Sequence, residues 1–226
     1  MAKPQETRHY GMADADLKQM ADNLIDSIER DAADFVTRNI TSGRVKAFAE
    51  LITTFDDSST DEELQGQLSA DVISKDDLAE NIRKAIRQIR NMAEIQYQGR
   101  GKYKTFGFED MANFSDSDLH RMTKRVLRMA NTLMPELAVQ GLTGAQITAL
   151  DQMNQDLDAA IDTVASSNET RDIATQDRIE KGNALWEEMG TLASIGQSLY
   201  ADTNEAKYND YVLVDGPGEP PVPPAP

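Results

Sequence analysis

The sequence predicts an all-α protein: an elongated up-and-down antiparallel helix bundle with long helices and a disordered proline-rich C-terminal tail. Three observations carry this. Apolar residues recur at three- and four-residue steps over most of the chain, the spacing of one helix face. No segment longer than a few residues alternates with the period of a strand. Apolar residues make up 39% and aromatics 6%, which suits the narrow stripe that each helix of a bundle buries and is thin for a wide α/β core.

Taken in order, residues 1–13 are polar and read as a flexible lead, and one helical domain follows over 14–214. From Asp14 the face Leu17, Met20, Leu24, Ile28, Ala32, Phe35 predicts a first helix, capped by Asp14 or Asp16 and ending near Thr41–Gly43. Val45, Phe48, Ala49, Ile52 and Phe55 predict a second. Thr60 and Glu63 have capping-box spacing. Leu64, Leu68, Val72, Leu78, Ile82, Ile86, Ile89 and Ala93 then predict one long helix to about Tyr97, with a longer gap that allows a bend near Ser74. Gly99, Gly101 and Gly107 mark a loop. Ser115 starts the next helix, with Leu119, Met122, Val126, Ala130 and Leu133 on its apolar face. Pro135 breaks or kinks it, Gly141 ends the piece that follows, and Thr143 with Gln146 forms another capping box.

After Gly144 no glycine or proline occurs until Gly182. Ile147, Leu150, Met153, Leu157, Ile161 and Val164 make one stripe, and Ile179, Leu185, Met189, Leu192, Ile195 and Leu199 another. The polar stretch Ser166 to Arg178 lies between. It is either one helix crossing a solvent gap or two helices with a turn at Ser166–Asn168; weak break signals favour one helix. Lys207 to Val214 begins helical and finishes extended. Residues 215–226 are rich in proline and read as an extended tail. Short connections imply antiparallel neighbours.

The net charge is −16, so the chain as a whole avoids nucleic acid and anionic membrane. It has no cysteine, which excludes disulfides, thiolate metal sites and cysteine nucleophiles. Met1 to Gly11 lacks the apolar run of a signal peptide, and no apolar stretch approaches the roughly 18 residues of a membrane span. The expected location is the cytoplasm, with export by a route that reads no cleavable signal as the alternative.

Charge is segregated along the chain. Residues 83–128 hold eleven Lys or Arg against five Asp or Glu, and the remainder holds twelve against thirty-four. Arg83, Arg87 and Arg90 share one helix face, and Arg121, Lys124, Arg125 and Arg128 share a face of the next. Between them the loop supplies Arg100, Lys102 and Lys104 around Tyr103, Phe106 and Phe108. Such a surface binds anions or nucleic acid, cations neutralising phosphates and aromatics stacking on bases. The plainer alternative is that it pairs with acidic helices of the same chain or of a neighbouring copy. The aromatics then cover one end of the bundle.

Lys104-Thr105-Phe106-Gly107-Phe108 partly resembles an RNA-recognition motif. It sits between helices, however, and Glu109 replaces the expected apolar residue. Gly99-Arg100-Gly101-Lys102 lacks the first glycine and the Ser or Thr of a phosphate loop. Of the two histidines, His9 lies in the lead, and His120 has no glutamate three residues before it, unlike di-iron bundles. Asp116, Asp118 and His120 point apart on a helix and read as a solvated helix start. No nucleophile elbow occurs, and no cofactor or metal is expected.

The segment Gly182-Asn183-Ala184-Leu185-Trp186 through Ile195-Gly196, then Ala206-Lys207-Tyr208-Asn209-Asp210-Tyr211-Val212-Leu213, resembles the C-terminal part of uncharacterised helical proteins of Bacteroidetes-type bacteria. The resemblance covers about the last third of the chain. It implies a bacterial helical protein and carries no activity.

These observations lead to the expectation of a non-enzymatic structural or interaction protein. It self-associates, or holds another protein, through its segregated basic and acidic helix faces. The alternative is a nucleic-acid or polyanion binder using the same basic residues.

Overall fold

The computed structural model describes residues 6–108 and 113–214. Residues 1–5, 109–112 and 215–226 lie outside the described residues, and with them the start of the expected lead and the whole of the expected proline-rich tail. The fold is all-α, built from α1 (Asp14–Arg30), α2 (Ala32–Thr37), α3 (Ser42–Asp56), α4 (Asp61–Tyr97), α5 (Lys102–Phe106), α6 (Asp116–Thr132), α7 (Met134–Leu137), α8 (Gly144–Tyr200) and α9 (Glu205–Asp210). A 3-10 turn, Ala138–Gln140, follows α7.

The sequence predicts one domain over 14–214, whereas the structure has two compact units. One holds residues up to Thr60 and from Asp172 onward; the other is Asp61–Arg171. The cause lies in α8, a single helix of 57 residues that feeds two separate cores. Between Leu157 and Arg178 it carries no buried residue. The polar stretch is thus helix, without the alternative turn at Ser166–Asn168.

In the first unit α1 runs antiparallel to α3, and α3 antiparallel to the last part of α8. The pairing is fixed at both ends. Arg178 of α8 is buried, with its guanidinium 3.1 Å from the Asp14 carboxylate and donating to the Ser59 carbonyl at 2.8 Å. Further along, Arg44 makes a fork on Glu188 at 2.8 and 3.0 Å. Leu17, Leu24, Ile28, Phe48, Leu185 and Leu192 fill the core between them.

Three local readings change here. The first helix does not run on to Thr41: it breaks at Asp31 and resumes as α2. Thr41 instead caps α3, its hydroxyl accepting from the Arg44 amide, and Gly43 sits in the first turn. At the start of α1 the N-cap is Ala13, without a side-chain bond, in place of the expected aspartates. Finally, the lead is docked where it is described. Tyr10 and Met12 are buried, and Asn183 accepts from the His9 amide at 2.8 Å and donates to the Thr7 carbonyl at 2.9 Å. A Cβ on Gly182 would lie 2.4 Å from the Tyr10 hydroxyl, so glycine leaves the space the ring occupies.

In the second unit α4 and α6 are parallel, not up and down. Lys75 pairs with Asp116 at one end. At the other, the Tyr97 hydroxyl donates to Glu136 at 3.0 Å and Gln140 to Gln96 at 2.9 Å. The chain between them runs back along the pair through α5. Lys102 meets Glu136, Arg125 donates to the Thr105 carbonyl at 2.8 Å, and Arg83 to the Phe114 carbonyl at 3.3 Å. The first part of α8 then runs antiparallel to both, with His120 facing the Asn154 carbonyl at 3.2 Å and Ser167 donating to Asp71 at 2.6 Å. Ile82, Ile86, Leu119, Val126, Leu150 and Leu157 lie at the centre. Ser115 and Thr143 cap α6 and α8 as their spacing predicts.

Candidate interaction surface

The basic residues divide by helix. On α4, whose buried face is Ala79, Ile82, Ile86, Ile89 and Ala93, Arg83 lies on the flank and is half-buried, while Arg87 and Arg90 are exposed. Arg87 is held one turn-pair back by Glu80 at 2.7 Å, which lowers the Glu80 carboxyl below its usual range. On α5, Lys102 pairs with Glu136. That lysine, then the Tyr97 hydroxyl, holds Glu136 low, while burial followed by the Glu136 bond pushes Tyr97 up to about 12. Arg125 folds over Gly107, where φ is +69° and a Cβ would lie 2.4 Å from its Nη1. The left-handed backbone angle favours glycine there, and the guanidinium lies over the space its missing Cβ leaves.

The rest of the cations project outward. Arg90, Arg100, Lys104, Arg121, Lys124 and Arg128 are exposed and make no ion pair among the described residues. Internal ion pairing therefore accounts for two, Arg87 and Lys102, of the ten basic residues singled out. The α6 row is the densest part. Leu119, Met122, Val126 and Ala130 commit one face of that helix to the core, so Arg121, Lys124 and Arg128 stand on the opposite face by helical geometry.

The aromatic residues do not join this surface. Phe106 and Phe108 are buried and stack on each other at 4.9 Å between ring centroids. Tyr103 is half-buried against Phe108 at 5.5 Å. Phe106 and Phe108 close the core of the second unit, and Tyr103 keeps part of its ring exposed.

A groove that sequence periodicity does not reveal runs beside the row. Its volume is about 390 Å³. Lys124, Leu127, Arg128 and Asn131 of α6 form one wall, and Ile147, Thr148 and Asp151 of α8 form the other. Leu127 and Ile147 are largely buried and supply an apolar floor. Asp151 is the one acid on its walls, and its carboxylate accepts from Gln155. The spacing along α6 identifies the cations; their apolar floor depends on which helix lies alongside.

Asp116, Asp118 and His120 diverge as their spacing requires. Asp116 turns to Lys75 and Asp118 to Ser115. His120 is not part of a solvated start: it is buried, with its second ring nitrogen 3.7 Å from Asp158. Among the described residues no group of three or more His, Cys, Asp or Glu side chains is placed to hold a metal. No described helix is long and apolar enough to cross a membrane. Comparison with family models, curated proteins and solved structures gives no match.

Proposed function

We propose that the protein is a non-enzymatic interaction module that assembles with copies of itself through its basic and acidic helix faces. The observation that supports this most is the set of six exposed cations that pair with nothing among the described residues of their own chain. An acidic partner is at hand in the same molecule type. Residues 61–80 of α4 hold seven Asp or Glu against one lysine, and the whole chain carries −16. Basic on acidic faces of unlike position make a heterologous contact, which builds rings or open chains. The test is the mass in solution against ionic strength, because contacts between exposed charges weaken as the screening length shortens.

The same row of Arg121, Lys124, Arg125 and Arg128 supports a second reading, a polyanion-binding surface that works by charge alone. Of the aromatics expected beside it, Phe106 and Phe108 are buried and Tyr103 is half-buried. Retention on a phosphate-bearing column that fades with salt is its signature; no retention at low salt ends it.

A further inference from the structure

The first turns of α4 present a face that nothing in the second unit covers. Glu62, Gly66, Ser69, Ile73, Asp76 and Asp77 fall on one stripe at steps of three and four, and all are exposed. Ile73 is 62% exposed, a large apolar side chain between carboxylates. Gly66 has open space around its missing Cβ, so another surface can approach the backbone there. The opposite face of α4, with Leu68, Ala79 and Ile82, is buried. The stripe therefore points away from its own core and from the α6–α8 groove of the same chain.

That groove is complementary in kind. Lys124 and Arg128 stand over the apolar floor of Leu127 and Ile147, and Asp151 leaves two cations against one carboxylate. Apolar anchors set in a groove with charges at its edge are how an amphipathic helix docks. We propose that the Glu62–Asp77 stripe of one copy docks in the α6–α8 groove of a second copy, with Ile73 on the apolar floor and Asp77 at Lys124 and Arg128, beside Asp76, which Lys75 holds at 2.8 Å. This inference rests on the self-association reading and names its two surfaces. The contact is head to tail, so each copy keeps one free stripe or groove for the next.

Two charge-reversed full-length chains test it. One carries Lys124→Glu with Arg128→Glu, the other Glu62→Lys with Asp77→Lys. All four positions are exposed, and circular dichroism confirms that each variant stays helical. In the first variant an acidic stripe faces an acidic groove, and in the second a basic stripe faces a basic groove. Each alone should give a mass near 25 kDa at low salt, and an equimolar mixture should return to the wild-type assembly. Ile73→Ser should weaken wild-type assembly without touching a charge.

If the wild type assembles and both variants still assemble alone, the docking is overturned while self-association stands. If the wild type is a single chain at low salt, both readings fall. A wild type that stays single but binds phosphocellulose through Lys124 and Arg128 assigns the groove to a polyanion and overturns the proposal.

Discussion

Asp31 sits where α1 gives way to α2 and is 4% exposed. The Arg30 guanidinium, then Lys207 and the Tyr211 hydroxyl, holds its carboxyl well below the usual carboxylate range against the opposing effect of burial. Arg30 lies 2.7 Å away, Lys207 2.6 Å, and the Tyr211 hydroxyl 3.0 Å. The same hydroxyl is 2.9 Å from the Ser27 carbonyl. Gln197 bonds the Tyr211 carbonyl at 2.7 Å, and the ring stacks on Tyr200. A group whose folded value is depressed contributes stability that is complete above its ordinary value of 3.8 and is lost as the pH falls through the folded value. The thermal midpoint should therefore drop in acid for the wild type. In Asp31→Asn it should start lower at neutral pH and depend less on acid.

Tyr211→Phe removes a buried hydroxyl and leaves Asp31 short of a donor, at a cost of about 1–3 kcal/mol. Gly196→Ala places a Cβ 2.3 Å from the Tyr211 ring, and overpacking of that kind costs about 1–3 kcal/mol. Urea unfolding followed by the fluorescence of Trp186, the one tryptophan of the chain, measures both. Trp186 packs on the same core. A midpoint unchanged by either substitution would show that the C-terminal segment does not brace this unit. Three residues between 182 and 196 are structural: Gly182 makes room for Tyr10, Gly196 for Tyr211, and Asn183 ties down the lead. Their spacing is visible in the sequence, but Gly182 and Asn183 meet partners more than a hundred residues away, and Gly196 meets a ring beyond the end of its own helix, so none of them sets a local period.

At the scale of elements, the long helices are legible because their apolar faces repeat with the helical period. Two of the starts are legible because Ser115 and Thr143 stand three residues before Asp118 and Gln146. Ser115→Ala should lower stability by about 1 kcal/mol, the usual worth of such a cap, read as a shift of the urea midpoint. The parallel course of α4 and α6 is not legible. Nothing in the composition of the glycine-marked loop says that it runs back along α4 instead of turning. The break at Asp31 is hidden for another reason: Ala32 and Phe35 continue the stripe across it, and only the buried ion pairs show why the helix stops.

The middle of α8 lacks a buried residue over 158–177, and Ile173 there is 55% exposed. Backbone bonds covered by little apolar packing open at low cost. Amides of Glu169–Ile173 should exchange with solvent faster than those of Leu185–Ala193, which lie on the core. Equal protection across α8 by hydrogen exchange would contradict this.

At the scale of the molecule, the sequence shows that charge is segregated, and the structure shows how it is displayed. Residue spacing finds Arg121, Lys124, Arg125 and Arg128 on one helix. It does not find the apolar floor between Lys124 and Asp151, because Leu127 and Ile147 meet only when α8 lies against α6. It also reads Tyr103, Phe106 and Phe108 as open to two uses, which the core of the second unit resolves by burying the phenylalanines. What remains exposed is a cationic row with a mostly polar groove beside it, floored by Leu127 and Ile147, and an acidic stripe with one apolar residue on another helix.

Self-association through these faces makes the mass in solution depend on salt. Light scattering on a sizing column, at about 20 mM and about 500 mM salt, tests it most directly, since the screening length falls about fivefold over that range. The expected result is a mass several times 25.0 kDa at the lower salt that falls toward a single chain at the higher. A single-chain mass at both salts would contradict it.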